Sequence, residues 1–205
     1  MMNILDFLFP PRVDEISLRD VSEDDFLAKM APRLVPETRP GTVSLLSFGD
    51  ASVRAAIHEA KYHGSERAFR LLGSVLVDYL RDADDVGRTT SYIYLVPIPL
   101  GEKRFKERGF NQAEEVARVA ARELGIKVET SLLVRTRETV SQISLAREKR
   151  EENMRSAFKT TRHADFACTY IIVDDVLTTG ATLQSAIDAL QDAGAKHIIP
   201  LALAH

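Results

Sequence analysis

Between Tyr170 and Ala193 the pattern of apolar and polar positions changes twice. Tyr170-Ile171-Ile172-Val173 is a continuous, mostly β-branched apolar run, which predicts a strand buried on both faces and ending at two acids, Asp174 and Asp175. After a turn, Thr178-Thr179-Gly180, apolar residues at Leu183, Ala186, Ile187 and Leu190 give helical spacing over Ala181–Ala193, with Gly194 as its stop. A second apolar run, Tyr92–Val96, is followed by Pro97-Ile98-Pro99-Leu100, where two prolines force a rigid, extended exit. The pattern assigns no element to Gly101–Phe110. A helix then covers Asn111–Leu124, with Ala113, Val116, Ala117, Ala120 and Leu124 on its apolar face and Gly125 at its end. Short strands follow near Ile126–Glu129 and Leu132–Val134, Phe158 returns the chain to the core, and His197–Ala204 is the last strand.

Upstream, helices are predicted over Ala51–Lys61, capped by Asp50, and Glu66–Arg81, capped by Ser65, with a polar connection over 82–91. Residues 1–45 carry Pro10, Pro11, Pro32, Pro36 and Pro40 and read as an irregular arm with one short helix near Glu23–Met30 behind Ser22. Strands alternating with helices in the second half imply an α/β fold: a parallel sheet with right-handed crossovers, flanked by helices, over 46–205. Arg135–Met154 is weakly periodic and long for a loop in a compact domain. It reads as a lid or partner surface, or as a short exposed helix over Leu145–Asn153.

The chemistry concentrates where the first strand ends. Ligands of open α/β sheets sit at the carboxyl ends of strands, and a helix start behind a Gly turn offers N–H groups to a phosphate. Thr178, Thr179 and Thr182 add hydroxyls there. Two carboxylates beside that anion require something hydroxylic or positive between them: a sugar diol, or Mg²⁺ with its preference for oxygen. A phosphorylated sugar satisfies both halves. The plainer reading is a solvated acid pair before a Thr-capped helix. Lys61-Tyr62-His63-Gly64 likewise reads either as a helix end with favourable charges or as part of a pocket.

Composition narrows the class. With 205 residues, 45% hydrophobic and 28% charged, the chain has material for one substantial core. No run reaches membrane-spanning length, and the apolar start, Met1–Pro10, lacks a basic leader, so no signal peptide is expected. A single cysteine, Cys168, excludes an internal disulfide and a multi-cysteine zinc site and points to a cytoplasmic setting. Net charge is −3, yet residues 97–162 hold 15 Lys/Arg against 10 Asp/Glu. That basic share suits a polyphosphate or a nucleic acid.

Residues 170–182 resemble the phosphoribosyl pyrophosphate (PRPP) signature of type I phosphoribosyltransferases. The resemblance implies that Asp174 and Asp175 bind the ribose hydroxyls and hold Mg²⁺, while Thr178, Thr179, Gly180, Ala181 and Thr182 wrap the 5-phosphate. Further segments resemble the ComF family of phosphoribosyltransferase-like competence proteins: Ile4–Pro11, Leu95–Leu100, Arg104, Arg108-Gly109-Phe110-Asn111-Gln112-Ala113, Gln142, Arg150 and Asn153. By that resemblance the loop opened by Pro97 holds pyrophosphate, with Lys103, Arg104 and Arg108 close by. Asp174, Asp175, Arg104 and Arg108 would then carry the chemistry, and Arg135–Asn153 would close over the site. Family members carry a four-cysteine zinc module after the Phe-Pro segment. Here Val13 stands at the first cysteine position, so 1–45 is expected as an arm in its place, without zinc. Thr178 stands where hypoxanthine-type enzymes carry a base-side carboxylate, which argues against that purine class and leaves the acceptor open.

Two functions follow as expectations. One is Mg²⁺-dependent transfer of phosphoribosyl from PRPP to a nitrogen acceptor. The other is a non-catalytic PRPP or nucleotide sensor acting in DNA uptake through protein partners or single-stranded DNA.

Overall fold

The computed structural model describes residues 13–83, 92–136 and 157–205. Its elements, in chain order, are α1 (Val13–Arg19), α2 (Glu23–Leu27), β1 (Arg33–Val35), β2 (Thr42–Leu46), α3 (Ala51–His63), α4 (Glu66–Asp82), β3 (Tyr92–Pro97), α5 (Glu102–Arg108), α6 (Gln112–Leu124), β4 (Lys127–Val128), β5 (Leu133–Arg135), β6 (Phe158–Thr160), β7 (Cys168–Val176), α7 (Ala181–Asp192) and β8 (His197–Ala204). The helices start where short polar side chains replace the missing intrahelical partners. Asp50 accepts the N–H groups of Ser52 and Val53 at 2.9 and 3.1 Å, Ser65 accepts that of Ala68 and Asn111 that of Ala113. Gly64 and Gly125 end α3 and α6 in the left-handed conformation.

Six strands form one sheet in the order β1-β2-β8-β7-β3-β4; β1 runs antiparallel to β2 and the remaining neighbours are parallel. A separate antiparallel pair joins β5 and β6. Pleating sorts the central strands onto two cores. Leu95, Ile171, Val173, Leu201 and Leu203 face the cluster built with α3, α4 and α6, whereas Val96, Tyr170, Ile172 and Ala202 face the one built with α7, β5 and β6. Both faces are covered, which explains the continuous apolar runs.

This topology fixes where a ligand can enter. From β3 the chain crosses by α6 to β4 on one side, and from the adjacent β7 it crosses by α7 to β8 on the other, over the opposite face. The carboxyl ends of β3 and β7 therefore flank a switch point, where neighbouring connections diverge and leave a crevice.

Three expectations are corrected. Strand β7 does not stop at Val173: pairing with β8 continues through Asp174↔Ala202 to Val176↔Ala204, so the acids stand in the strand's last residues. Gly101–Phe110, given no element by the pattern, holds a helix. Residues Glu102–Arg108 form α5, which is fully polar apart from Phe105, carries a Lys106–Glu102 ion pair and ends at Gly109, φ 80°. Such a helix has no apolar stripe for periodicity to reveal. Finally, the residues before 46 are not irregular throughout. The short helix behind Ser22 is present as expected, but α1 precedes it and β1 and β2 add the antiparallel edge of the sheet, so the boundary after residue 45 falls inside β2. Residues 1–12 and 137–156 lie outside the described residues, and with them most of the segment read as a lid, including Gln142, Arg150 and Asn153. Phe158 is buried, as expected.

The N-terminal segment is fastened from two directions. Phe26 and Leu18 are buried in the α3/α4/α6 core, and Arg67 of α4 donates to the carbonyls of Leu18, Arg19 and Val21 at 2.6, 3.1 and 2.7 Å. Replacing Phe26 by Ala removes a fully buried ring and is expected to cost about 3–5 kcal/mol in denaturant unfolding. A loss below about 1 kcal/mol would show that this segment unfolds apart from the sheet.

Candidate functional site

The crevice at the ends of β3 and β7 is assembled from several segments distant in the chain. Asp174 and Asp175 stand at the end of β7, Asp174 half-buried and Asp175 nearly covered. Each carboxylate turns back on its own strand: Asp174 Oδ1 accepts the N–H of Asp175 at 2.9 Å, and Asp175 Oδ1 that of Val176 at 2.7 Å. Strand alternation directs Asp175 to the α3/α6 side. There its other oxygen accepts from Gln112 Nε2 at 2.8 Å and lies 3.4 Å from Lys61 Nζ.

The segment Arg108–Gln112 acts as a frame. Arg108 donates to Gln112 Oε1 at 3.0 Å and lies over the Tyr62 ring, 5.1 Å from its centroid. Phe110 packs edge-on against Phe69. Asn111 caps α6 and, with Nδ2, holds the carbonyl of Ile98 at 3.0 Å, while the Ile98 N–H reaches Val173 O at 2.9 Å. One buried asparagine thus ties the Pro97–Leu100 exit to both a helix start and the neighbouring strand. The chain Arg108–Gln112–Asp175–Lys61 links the basic segment to the acids.

Beyond the acids, Thr178 and Thr179 are exposed, and Gly180 sits at the N-cap of α7 with φ 74°. Among the described helices of twelve or more residues, α7 alone has no side chain bonded to its first N–H groups. The Thr-rich cap of the plainer reading is therefore not formed. A wall stands beside this turn: Arg39 N–H donates to Gln184 Oε1 at 2.7 Å, and a Cβ on Gly180 would fall 2.9 Å from Glu37 Cβ and 3.1 Å from Glu37 O.

Of the residues singled out in the sequence, the structure brings together Asp174, Asp175, Arg108, Pro97 and the Thr178–Thr182 turn. Lys103 and Arg104 lie on the exposed surface of α5. Sequence reasoning assigned no contact to Gln112, and it left Lys61 open between a helix end and a pocket. The signals were there: a glutamine at the head of a helix, and a lysine one turn before a glycine stop.

Residues 109–205 match the phosphoribosyl transferase domain. Just under half of the chain is thus similar to that domain. It is 32% identical over 152 residues to the DNA utilization protein YhgH of Escherichia coli K12, covering 69% of this chain and 62% of that protein. It is 30% identical over 131 residues to competence protein F of Haemophilus influenzae, covering 63% and 57%. To competence protein ComFC of Bacillus subtilis it is 33% identical over 118 residues, covering 54% and 45%. The chain thus spans about half to three fifths of the length of these curated relatives. The resemblance to competence proteins read from the sequence is borne out, as is the α/β fold. Within the phosphoribosyl transferase domain lie β7, the acids, the turn and α7, while Lys61 and the Glu37–Pro40 wall come from the chain preceding it.

Electrostatics of the acid pair follow from crowding. Burial and the neighbouring Asp175 carboxylate push Asp174 from 3.8 up to about 7, against the smaller opposing effects of the Asp175 N–H and Lys61. In the folded protein Asp174 thus keeps its proton over a range where the unfolded chain has lost it. Its contribution favours folding below about pH 4 and is lost as pH rises to about 7. Melting temperature measured across that window should fall less steeply for Asp174→Asn than for the unaltered protein; identical slopes would exclude this cause. Gly180→Ala should lower stability by at least about 1–2 kcal/mol, from the left-handed backbone and the collision with Glu37, measured by denaturant unfolding. An unchanged stability would show that the wall yields freely.

Proposed function

We propose that the crevice binds PRPP or a related phosphorylated ribose and that the protein transfers the phosphoribosyl group to a nitrogen acceptor. The carrying observation is the juxtaposition of an uncapped α7 N-terminus behind Gly180 with the adjacent carboxylates of Asp174 and Asp175. The first fits a 5-phosphate: uncapped N–H groups at the helix start, with threonines in the same turn, offer donors to an anion. The second fits the ribose diol, whose hydroxyls donate to carboxylates.

The same acids, hard oxygen donors, suit Mg²⁺ once Asp174 has given up its proton. Bound at Asp174 and Asp175, the ion would supply charge stabilisation to the departing pyrophosphate. The chain's own residues supply the rest of the reading. Lys61 and Gln112 hold Asp175 in one orientation, so that Asp174 is the group that yields its proton when ligand arrives. The Ile98–Leu100 backbone, fixed by Asn111, forms the floor for the leaving group, and Arg108 lies on the adjoining helix with its cation already oriented. Since the glycosyl transition state resembles an oxocarbenium ion, positioning and charge stabilisation suffice and no covalent nucleophile is required.

A second reading is specifically favoured by Thr178. No carboxylate stands there to take a proton from an acceptor base. In that reading the pocket senses PRPP or a nucleotide while the protein acts in DNA utilization through partners or single-stranded DNA. The names of its relatives support this role.

Thermal unfolding with PRPP and Mg²⁺ tests the pocket. At about 100 times the dissociation constant, the ligand stabilises by roughly 2.7 kcal/mol, a rise of about 5–10 °C for a chain of this size. Asp174→Asn/Asp175→Asn should abolish the rise. No rise at millimolar PRPP, or an equal rise in the variant, would refute the assignment, and release of pyrophosphate with an added nitrogen base separates transfer from sensing.

A further inference from the structure

Away from the acids, the last turns of α3 carry His-Glu-Ala-Lys-Tyr-His, residues 58–63. One ring nitrogen each of His58 and His63 and a carboxylate oxygen of Glu59 lie within 4.8 Å of one another. Glu59 is fully buried, whereas both histidines are exposed. Glu59 and His63 are four residues apart on one helix face, with Nε2 and Oε1 separated by 3.9 Å, and the two imidazoles lie 5.6 Å apart between centroids. From α1, Asp14 Oδ2 reaches His58 Nδ1 at 2.9 Å.

We propose that His58, His63 and Glu59 form a binding site for a first-row transition cation of the zinc type, with Asp14 orienting His58. The donor set is the reason. Two imidazoles and one carboxylate suit zinc and its neighbours and disfavour Mg²⁺, which demands oxygen ligands. A carboxylate on one imidazole nitrogen fixes the tautomer and leaves the other nitrogen to the metal, the arrangement that commonly supports histidine ligands. Meeting at one ion requires the donor atoms to close to about 3.3 Å, a rotamer adjustment that two exposed rings can make.

The spacing also separates this cluster from the His-Glu-x-x-His pattern of zinc hydrolases. Here the helical i, i+4 pair is Glu59 with His63, so the glutamate stands with the ligands and not as a base beside them. A cation at this point would tie α1 to α3 and stiffen the turn from which Lys61 reaches Asp175 and Tyr62 lies beneath Arg108.

The test uses the full chain, stripped with chelator and titrated with ZnCl₂ against a chromophoric competitor, with Co²⁺ absorption as a second readout. One equivalent should bind, with a visible Co²⁺ band of low symmetry. His58→Gln and His63→Gln, both at exposed positions, should each weaken binding by at least about tenfold, and Asp14→Asn by a comparable or smaller factor. Asp174→Asn/Asp175→Asn should leave zinc affinity unchanged, which separates this site from the PRPP pocket. Failure to bind one equivalent, zinc affinity in both histidine variants equal to that of the unaltered protein, or loss of zinc in the double aspartate variant would overturn the proposal.

Discussion

Two adjacent carboxylates at the end of one buried parallel strand, opposed by a single lysine, are the constraint around which this molecule is arranged. Continued pairing of β7 with β8 carries the strand past Val173 and holds Asp175 nearly covered, with Asp174 half-buried beside it. Charge this crowded is costly unless it is matched, and the matching groups come from two other elements and from the strand itself: Lys61 from α3, Gln112 from α6 and the strand's own N–H groups. What remains unmatched raises the hold of Asp174 on its proton. A site in that condition is poised for a ligand that brings hydroxyl donors or a cation.

The surrounding parts make sense as consequences. Arg108–Gln112 reads as a motif because each of its members is spent on geometry: a cation over Tyr62, a left-handed glycine, a ring against Phe69, a cap that also grips Ile98, and an amide on Asp175. Two of these contacts, to Tyr62 and to Phe69, reach back to elements before residue 84. The residues before the sheet's first parallel strand likewise close the site, since Glu37 and Thr38 press on Gly180. The cluster on α3 belongs to this same logic, because the helix that supplies Lys61 also carries His58, Glu59 and His63.

The chain by itself determined the parts whose physics is local. β-branched apolar runs named β3, β7 and β8, Asp50, Ser65 and Asn111 named helix starts because capping is a short-range hydrogen bond, and Gly125 named an end through its left-handed backbone. Asp174, Asp175 and the Thr-Gly turn were legible because strand, acids and helix follow within thirteen residues. Tertiary structure decided what depends on distant partners. The length of β7 was set by β8, β1 and β2 gained strand form from the sheet edge, and α5 escaped notice because a nearly all-polar surface helix has no apolar period. Lys61 and Gln112 became site residues only when two helix termini, about fifty residues apart in the chain, were packed against the same end of β7. No local rule encodes that convergence, since long-range packing creates it.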